Sequence, residues 1–129
     1  MARTKLQRPT DGELEILKVL WERGPSTVRD VHDALGQARG TGYTTVLKLM
    51  QIMAAKGLVA RDEDQRAHVY RASEARDETQ RRLVTDLVDR AFDGSAADLV
   101  LHALGAQRAS AKDLAEIREL IDRYEEKKA

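Results

Sequence analysis

The sequence contains no cysteine and few aromatic residues. Without cysteine, the 129-residue chain forms no disulfide, holds no metal through a thiolate and carries no cysteine redox sensor. Aromatic residues make up 4 % of the chain, and Trp21 is its one tryptophan. The core therefore has to consist of leucine, valine, isoleucine, alanine and methionine. The absence of cysteine also fits a reducing cytosol.

Long hydrophobic runs are absent as well. No apolar segment approaches the roughly 20 residues that a membrane-spanning helix requires. The first residues, MARTKLQRPTDGE, are charged and lack the apolar stretch of a secretory signal peptide. We therefore expect a cytoplasmic protein.

The chain has no net charge, which taken alone argues against a nucleic-acid partner. The charges are unevenly distributed, however. Residues 1–72 contain 12 Lys/Arg and 9 Asp/Glu, whereas residues 73–129 contain 10 and 13. This asymmetry suggests two domains, 1–72 and 73–129, with different partners. Charge differences this small are equally compatible with chance variation in composition.

Two helices are predicted near the N-terminus. Thr10 and Glu13 have the spacing of a capping box, and Gly24-Pro25 ends the helix that they open. Its apolar positions are Leu14, Leu17, Leu20 and Trp21. Ser26 or Thr27 opens a second helix, which ends near Gly36 and is followed by a turn that extends to Gly42. The apolar positions of the second helix are Val28, Val31 and Leu35.

The third predicted helix lies in the stretch GYTTVLKLMQIMAAKGLV, residues 42–59, and Gly57 is suited to end it. At about 100° per residue, one of its faces is apolar. The residues of that face are Val46, Leu49, Met50 and Met53. The residues that point the opposite way are Thr44, Lys48, Gln51 and Ala55.

A β-hairpin is predicted after the third helix. Residues 58–61 form its first strand, the polar segment DEDQ its turn, and residues 67–71 its second strand. Three helices followed by a hairpin are typical of a winged helix-turn-helix, in which the third helix enters the DNA major groove and the hairpin flanks it. The predicted fold class is thus mostly α, with a winged helix-turn-helix followed by a helical C-terminal domain.

The outer face of the third helix is the predicted DNA-binding surface. Small hydroxyl residues at a helix start approach phosphates closely, and a lysine one turn later reaches a phosphate or a guanine. The residues concerned are Thr44, Thr45, Lys48 and Gln51. The helix alone favours a plainer interpretation, in which a threonine only caps the helix and the lysine and glutamine are merely solvated. The hairpin that follows shifts the preference to DNA binding.

Four more residues are predicted to contact DNA. Arg66 and His68 lie on or beside the hairpin strands, and we expect them to make the wing contacts because the tip residues 62–64 are acidic and repel phosphate. Arg29, at the start of the second helix, contacts a backbone phosphate or forms a surface ion pair. Tyr43 stacks on a sugar, donates to a phosphate or fills the space between helices.

The last 57 residues are predicted to form three helices with only two aromatic residues. SAAD at 95–98 and SAKD at 110–113 are capping-box patterns that open the second and third of them. A segment this small rarely buries enough apolar surface by itself, which favours a homodimer. The predicted interface residues are Leu83, Leu87, Val88, Phe92, Leu99, Val100, Leu104, Ile117 and Ile121.

The sequence offers no catalytic or metal-binding pattern. Asp98 and His102 have metal-ligand spacing on one helix, but a helical ion pair or two solvated side chains account for them better. There is no Ser-His-Asp set, no glycine-rich phosphate loop and no HExxH. We therefore predict neither an enzyme nor a bound cofactor or metal.

Three segments together resemble the penicillinase-repressor (BlaI/MecI) family of bacterial transcription regulators. They are the LWxxGPxTVxxV pattern at residues 20–31, YTTV at residues 43–46, and the KGLVxR and RAHVYR pair within residues 56–71. The resemblance covers roughly residues 14–121. It implies a homodimeric repressor whose winged helix binds a palindromic DNA operator and whose C-terminal helices form the dimer interface. It also implies an inducer-activated membrane metalloprotease as a partner.

The chain departs from the family pattern at two places. Family members that are cleaved have an Asn-Phe step after an LVL run, whereas here LVL at residues 99–101 precedes His102 and Ala103. Leu47 occupies a position that is basic or polar in many members. The cleavage step and the operator sequence are therefore not transferred to this chain. A winged-helix adaptor that binds proteins instead of DNA is the alternative function.

Overall fold

The computed structural model describes residues 8–36, 41–64, 66–106 and 109–128. In chain order these residues form three helices, two strands and three further helices, which confirms the predicted fold class. The elements are α1 (Asp11–Arg23), α2 (Val28–Leu35), α3 (Tyr43–Lys56), β1 (Val59–Asp62), β2 (Val69–Ala72), α4 (Arg76–Ala91), α5 (Ala96–Gly105) and α6 (Ala111–Lys128). Most of the predicted turn before α3, residues 37–40, lies outside the described residues.

Side-chain caps begin the helices where the sequence predicts them. Thr10 Oγ1 accepts from the Glu13 amide at 3.2 Å, and Glu13 Oε1 accepts from the Thr10 amide at 2.9 Å. The same reciprocal pair joins Thr27 to Asp30 at the start of α2, so Thr27 is the capping residue there. These bonds lower the pKa of the Asp30 carboxyl below its usual range, mainly through the Thr27 amide.

A single apolar core holds the first three helices and the hairpin together. Its buried members are Ile16, Leu17, Leu20, Val28, Val31, Val46, Met50, Met53, Leu58, Val59 and Tyr70. The predicted apolar face of α1 is partly wrong, because Ile16 is fully buried whereas Leu14 and Trp21 are only partly covered. On α3, Val46, Met50 and Met53 are buried as predicted, and Leu49 packs at the edge of the core.

A buried ion pair connects the start of α1 to the end of α3. Both oxygens of the Glu13 carboxylate accept from Lys56 Nζ, at 3.0 and 2.9 Å, and the Glu13 side chain is 2 % exposed. Burial raises the pKa of Glu13, but hydrogen bonds from Thr10 and Lys56 and the Lys56 charge lower it more, so the net pKa lies below its ordinary value. The pair fixes the end of α3 relative to α1.

The hairpin starts later than predicted, since β1 is Val59–Asp62 and β2 is Val69–Ala72. The strands are antiparallel, with Arg61 opposite Tyr70. Ser26 extends this sheet with two backbone hydrogen bonds to Tyr70, of 2.9 and 2.8 Å. The bridge was not predicted, and it ties the α1–α2 connection to the wing.

By its packing the chain divides between Leu83 and Val84, within α4, into two compact units. The first, here called the winged unit, continues past the hairpin because Trp21 Nε1 donates to the Glu74 carbonyl at 2.9 Å. Thr79 is buried and donates to the Glu74 carboxylate at 2.9 Å, which holds the first turns of α4 in the same unit. The sequence-based boundary between residues 72 and 73 coincides with the end of β2.

The second unit, here called the C-terminal unit, comprises the end of α4 together with α5 and α6. Ser95 caps α5 by accepting from the Asp98 amide at 3.0 Å, and Ser110 and Asp113 form a reciprocal pair at the start of α6. Phe92 lies against His102, with ring centroids 5.4 Å apart. None of the described residues from Val84 onward is buried.

Candidate nucleic-acid interface

The outer face of α3 is polar and exposed. Thr44, Thr45, Lys48 and Gln51 are all exposed, while Val46, Met50 and Met53 hold the opposite face in the core. The N-cap is Gly42, which has no side chain that could accept a hydrogen bond from the first turn. The interpretation of Thr44 or Thr45 as a helix cap is therefore wrong. Amide groups at the start of α3 and two exposed hydroxyls remain available to an anion.

A groove of about 370 Å³ lies between the start of α2, the face of α3 and the hairpin. We call it the wing groove. Its lining includes Val28, Leu47 and Tyr70. Its polar and aromatic lining includes Arg29, Tyr43, Gln51, Arg61, Arg66 and His68. The fold thus brings five of the eight predicted DNA-binding residues together here, whereas Thr44, Thr45 and Lys48 lie on the adjoining exposed face of α3.

Tyr43 connects α2 to the beginning of α3. The guanidinium carbon of Arg29 lies 5.7 Å from the centre of the Tyr43 ring, and the His32 ring meets Tyr43 edge-on with centroids 6.0 Å apart. His32 Nε2 also lies 3.1 Å from the Thr41 carbonyl oxygen, one residue before the N-cap of α3. Tyr43 therefore packs between the helices, and its exposed part faces the same side as the wing groove.

Arg61 is a groove residue that the sequence analysis missed. Residues two apart on a strand share a face, so Arg61 follows the buried Val59 on the inner side of β1. That alternation was the signal available in the sequence. Hydrogen bonding to Tyr70, and then to Glu63, raises the pKa of Arg61 above its ordinary value.

The wing groove is cationic. Three arginines and a histidine line it, and among the described residues no aspartate or glutamate does. The acidic residues 62–64 lie beside it at the hairpin tip, and Glu63 turns back to pair with Arg61. Anionic, extended ligands with regularly spaced charges match this lining and the adjoining face of α3.

Among the described residues, no cluster of His, Asp or Glu is arranged to hold a metal ion. His102 Nδ1 lies 2.9 Å from the Asp98 carbonyl oxygen and 3.9 Å from its carboxylate, which accounts for the spacing of this pair. No helix in the described ranges is both long and apolar enough to cross a membrane.

Three helices, a flanking hairpin and an exposed polar third helix define a winged helix-turn-helix protein. Comparison with known proteins gives the family. The family model described as penicillinase repressor matches residues 9–123. The chain belongs to this family, which confirms the resemblance found in the sequence. The family consists of transcriptional regulators and not of enzymes, as predicted.

Individual relatives agree with this assignment. The chain is 40 % identical over 112 residues to the transcriptional regulator BlaI of Mycobacterium tuberculosis, in strains CDC 1551 and H37Rv, a match that covers 83 % of this chain and 81 % of the relative. It is 19 % identical over 124 residues to the penicillinase repressor of Bacillus licheniformis, covering 96 % and 97 % of the two chains.

Proposed function

We propose that the protein is a cytoplasmic, homodimeric repressor that binds a palindromic DNA operator through α3 and the wing and is released by an inducing signal. The observation that carries this proposal is the continuity of two surfaces. The exposed hydroxyls and Lys48 of α3 adjoin a groove with three arginines and no acidic residue among those described. An α-helix fits the major groove, and such a cationic flank suits the adjacent phosphates.

Dimer formation through the C-terminal unit is the second part of the proposal. All nine predicted interface residues are partly or fully exposed in one chain. Leu87 and Ile121 are 49 % and 50 % exposed, and no described residue of the unit is buried. Apolar surface left uncovered in this way favours pairing with a second copy. Two copies would place their α3 helices on half-sites about 34–36 Å apart, or a multiple of that distance.

Release by proteolysis of the C-terminal unit is the route that the family resemblance implies, with a membrane metalloprotease as partner. In this chain Leu101 is exposed, but the two residues after it are His102 and Ala103, inside α5. Incubation of the purified repressor with such a protease, followed by mass spectrometry of the fragments, would identify a cut bond. An intact chain that still dissociates from DNA on induction would instead favour release by a bound signal.

The decisive experiment is a titration of a labelled duplex from the chain's own upstream region at two salt concentrations. The wild type should bind tightly, and its affinity should fall steeply with salt because bound phosphates release counterions. Lys48→Ala should weaken binding roughly five- to thirtyfold and lower the log–log salt slope by about one.

Lys112→Ala is the matched control, since Lys112 is an exposed lysine of α6 in the C-terminal unit. It should leave affinity and slope unchanged. If a folded, dimeric wild-type protein failed to bind either this duplex or genomic fragments at low salt, the adaptor function would replace the repressor function.

A further inference from the structure

Arg61 and Glu63 form a pair that the proposed contacts of α3 do not use. Arg61 Nε donates to Glu63 Oε2 at 2.8 Å, and Arg61 Nη2 contacts the same oxygen at 2.5 Å. The arginine side chain is 34 % exposed and lines the wing groove, whereas the Glu63 side chain is 56 % exposed and comes from the hairpin tip. Glu63 Oε2 thus accepts from both Nε and Nη2 of Arg61, an arginine that lines the wing groove.

The surroundings of Arg61 favour an anion on its open side. Arg66 and His68 come from the connection just before β2, and Arg29 comes from α2. Tyr70 is buried directly opposite Arg61 in the strand register, which anchors the backbone of Arg61 in the hairpin. A phosphodiester has the charge and the paired oxygens that a fixed guanidinium binds best.

We propose that Arg61 is a further DNA-phosphate ligand and that Glu63 is an intramolecular competitor that occupies it until a backbone phosphate takes its place. This inference rests on the proposed function. It deepens that function, because it gives the acidic tip a role other than general repulsion. No covalent bond is made or broken in the exchange. The guanidinium of Arg61 gives up the Glu63 carboxylate and takes a DNA phosphate as its ionic partner.

The exchange has a measurable consequence. Every duplex has to displace Glu63, so the pair lowers affinity for operator and unrelated DNA by the same factor. Glu63→Gln keeps the shape of the side chain but removes its charge. It should tighten binding to both kinds of duplex roughly two- to fivefold, the range expected for an exposed ion pair.

Asp64→Asn is the matched control. Asp64 lies next to Glu63 at the tip and is exposed. The described ion pair of Arg61 is with Glu63 and not with Asp64. The substitution changes the net charge equally, so it measures general repulsion of DNA by the tip. We expect its gain in affinity to be smaller than that of Glu63→Gln.

A double-mutant cycle separates the two explanations. In an Arg61→Ala background, Glu63→Gln and Asp64→Asn should give equal gains, because the specific competition no longer exists. Arg61→Ala alone should weaken binding about two- to fivefold on any sequence and make the salt slope shallower. Thermal unfolding of each variant checks that the hairpin remains folded. If Arg61→Ala does not fold, Arg61→Lys takes its place in the cycle, because it retains the charge but lacks the guanidinium.

Two results would overturn the inference, and they are distinguishable. If the wild type binds DNA and Lys48→Ala weakens it, but Glu63→Gln gives the same gain with and without Arg61, the competition is wrong and the repressor function stands. If the folded wild type binds no duplex at low salt, the repressor function fails and this inference fails with it.

Discussion

The winged unit and the C-terminal unit use the same local devices but differ in burial. Both contain capped helices with apolar residues at helical spacing. The winged unit buries eleven hydrophobic residues, whereas the described residues of the C-terminal unit include none that are buried. Helix formation therefore follows from local sequence in both units, but only the first completes an apolar core within one chain.

The largest expected effect concerns the core of the winged unit. Ile16→Ala removes a side chain that is 0 % exposed and should lower the free energy of unfolding by about 2–5 kcal/mol. Ile52→Ala, the same substitution at a position 46 % exposed, should cost much less. Urea unfolding at two protein concentrations measures both. A cost for Ile16→Ala that depends strongly on protein concentration would show that the winged unit is not independently stable.

The next effect concerns the C-terminal unit. Leu87→Asp places a charge on the proposed interface and should raise the dimer dissociation constant by about a hundredfold, because burying an unpaired carboxylate is costly. Thr85→Asp is the control, since Thr85 is exposed on the opposite side of α4. Sedimentation equilibrium gives the constants. If Leu87→Asp dimerises as well as the control, the apolar face of the C-terminal unit at Leu87 is not a dimer interface, and the proposed contrast between the two units is wrong.

The smallest effect concerns the Glu13–Lys56 ion pair. Glu13→Gln should lower the free energy of unfolding by roughly 1–2 kcal/mol near neutral pH, because Lys56 loses its charged acceptor. Glu15→Gln is the control, since the Glu15–Lys18 pair on the same helix is exposed, and it should cost at most about 0.5 kcal/mol.

The same pair predicts a pH dependence. The folded pKa of Glu13 lies below its unfolded value, so the unfolded chain takes up this proton first as the pH falls. The stabilisation is complete above the unfolded pKa and is lost as the pH falls through the folded one, in the acid range below about pH 5. Urea unfolding at several pH values should show that this loss is absent from Glu13→Gln. An unchanged pH profile would contradict the assignment.

Much of the fold could be predicted from local signals. The capping boxes at Thr10 and Ser110, the glycine at position 57 and the apolar face of α3 all lie where the sequence places them. Gly57 has φ 84°, a left-handed conformation that glycine adopts without strain. The Ser26–Tyr70 bridge could not be predicted, because it joins residues 44 apart through backbone atoms that no side-chain pattern reports.

The candidate site was predictable to a smaller extent. Helical period alone gives the outer face of α3. Arg66 and His68 follow from the hairpin pattern, although the structure places both in the connection before β2 and not on a strand. Arg61 was overlooked because it is the last residue of the predicted first strand, although its alternation with Val59 assigns it to the inner side of the hairpin. The sequence could not decide whether Tyr43 packs between the helices or projects into solvent. Its position depends on contacts with Arg29 and His32, and only the packing of α2 against α3 brings these residues to it.

The sequence by itself determined the order of the helices and strands, most of the helix caps, the apolar face of α3 and the family to which the chain belongs. These properties depend on neighbours a few residues apart, and periodicity and caps record them. The tertiary structure alone decided that Glu13 meets Lys56, that Tyr70 lies opposite Arg61 and that Arg29, Gln51 and Arg66 line one groove. Those contacts join distant segments, and only the packing of the shared core brings such segments together.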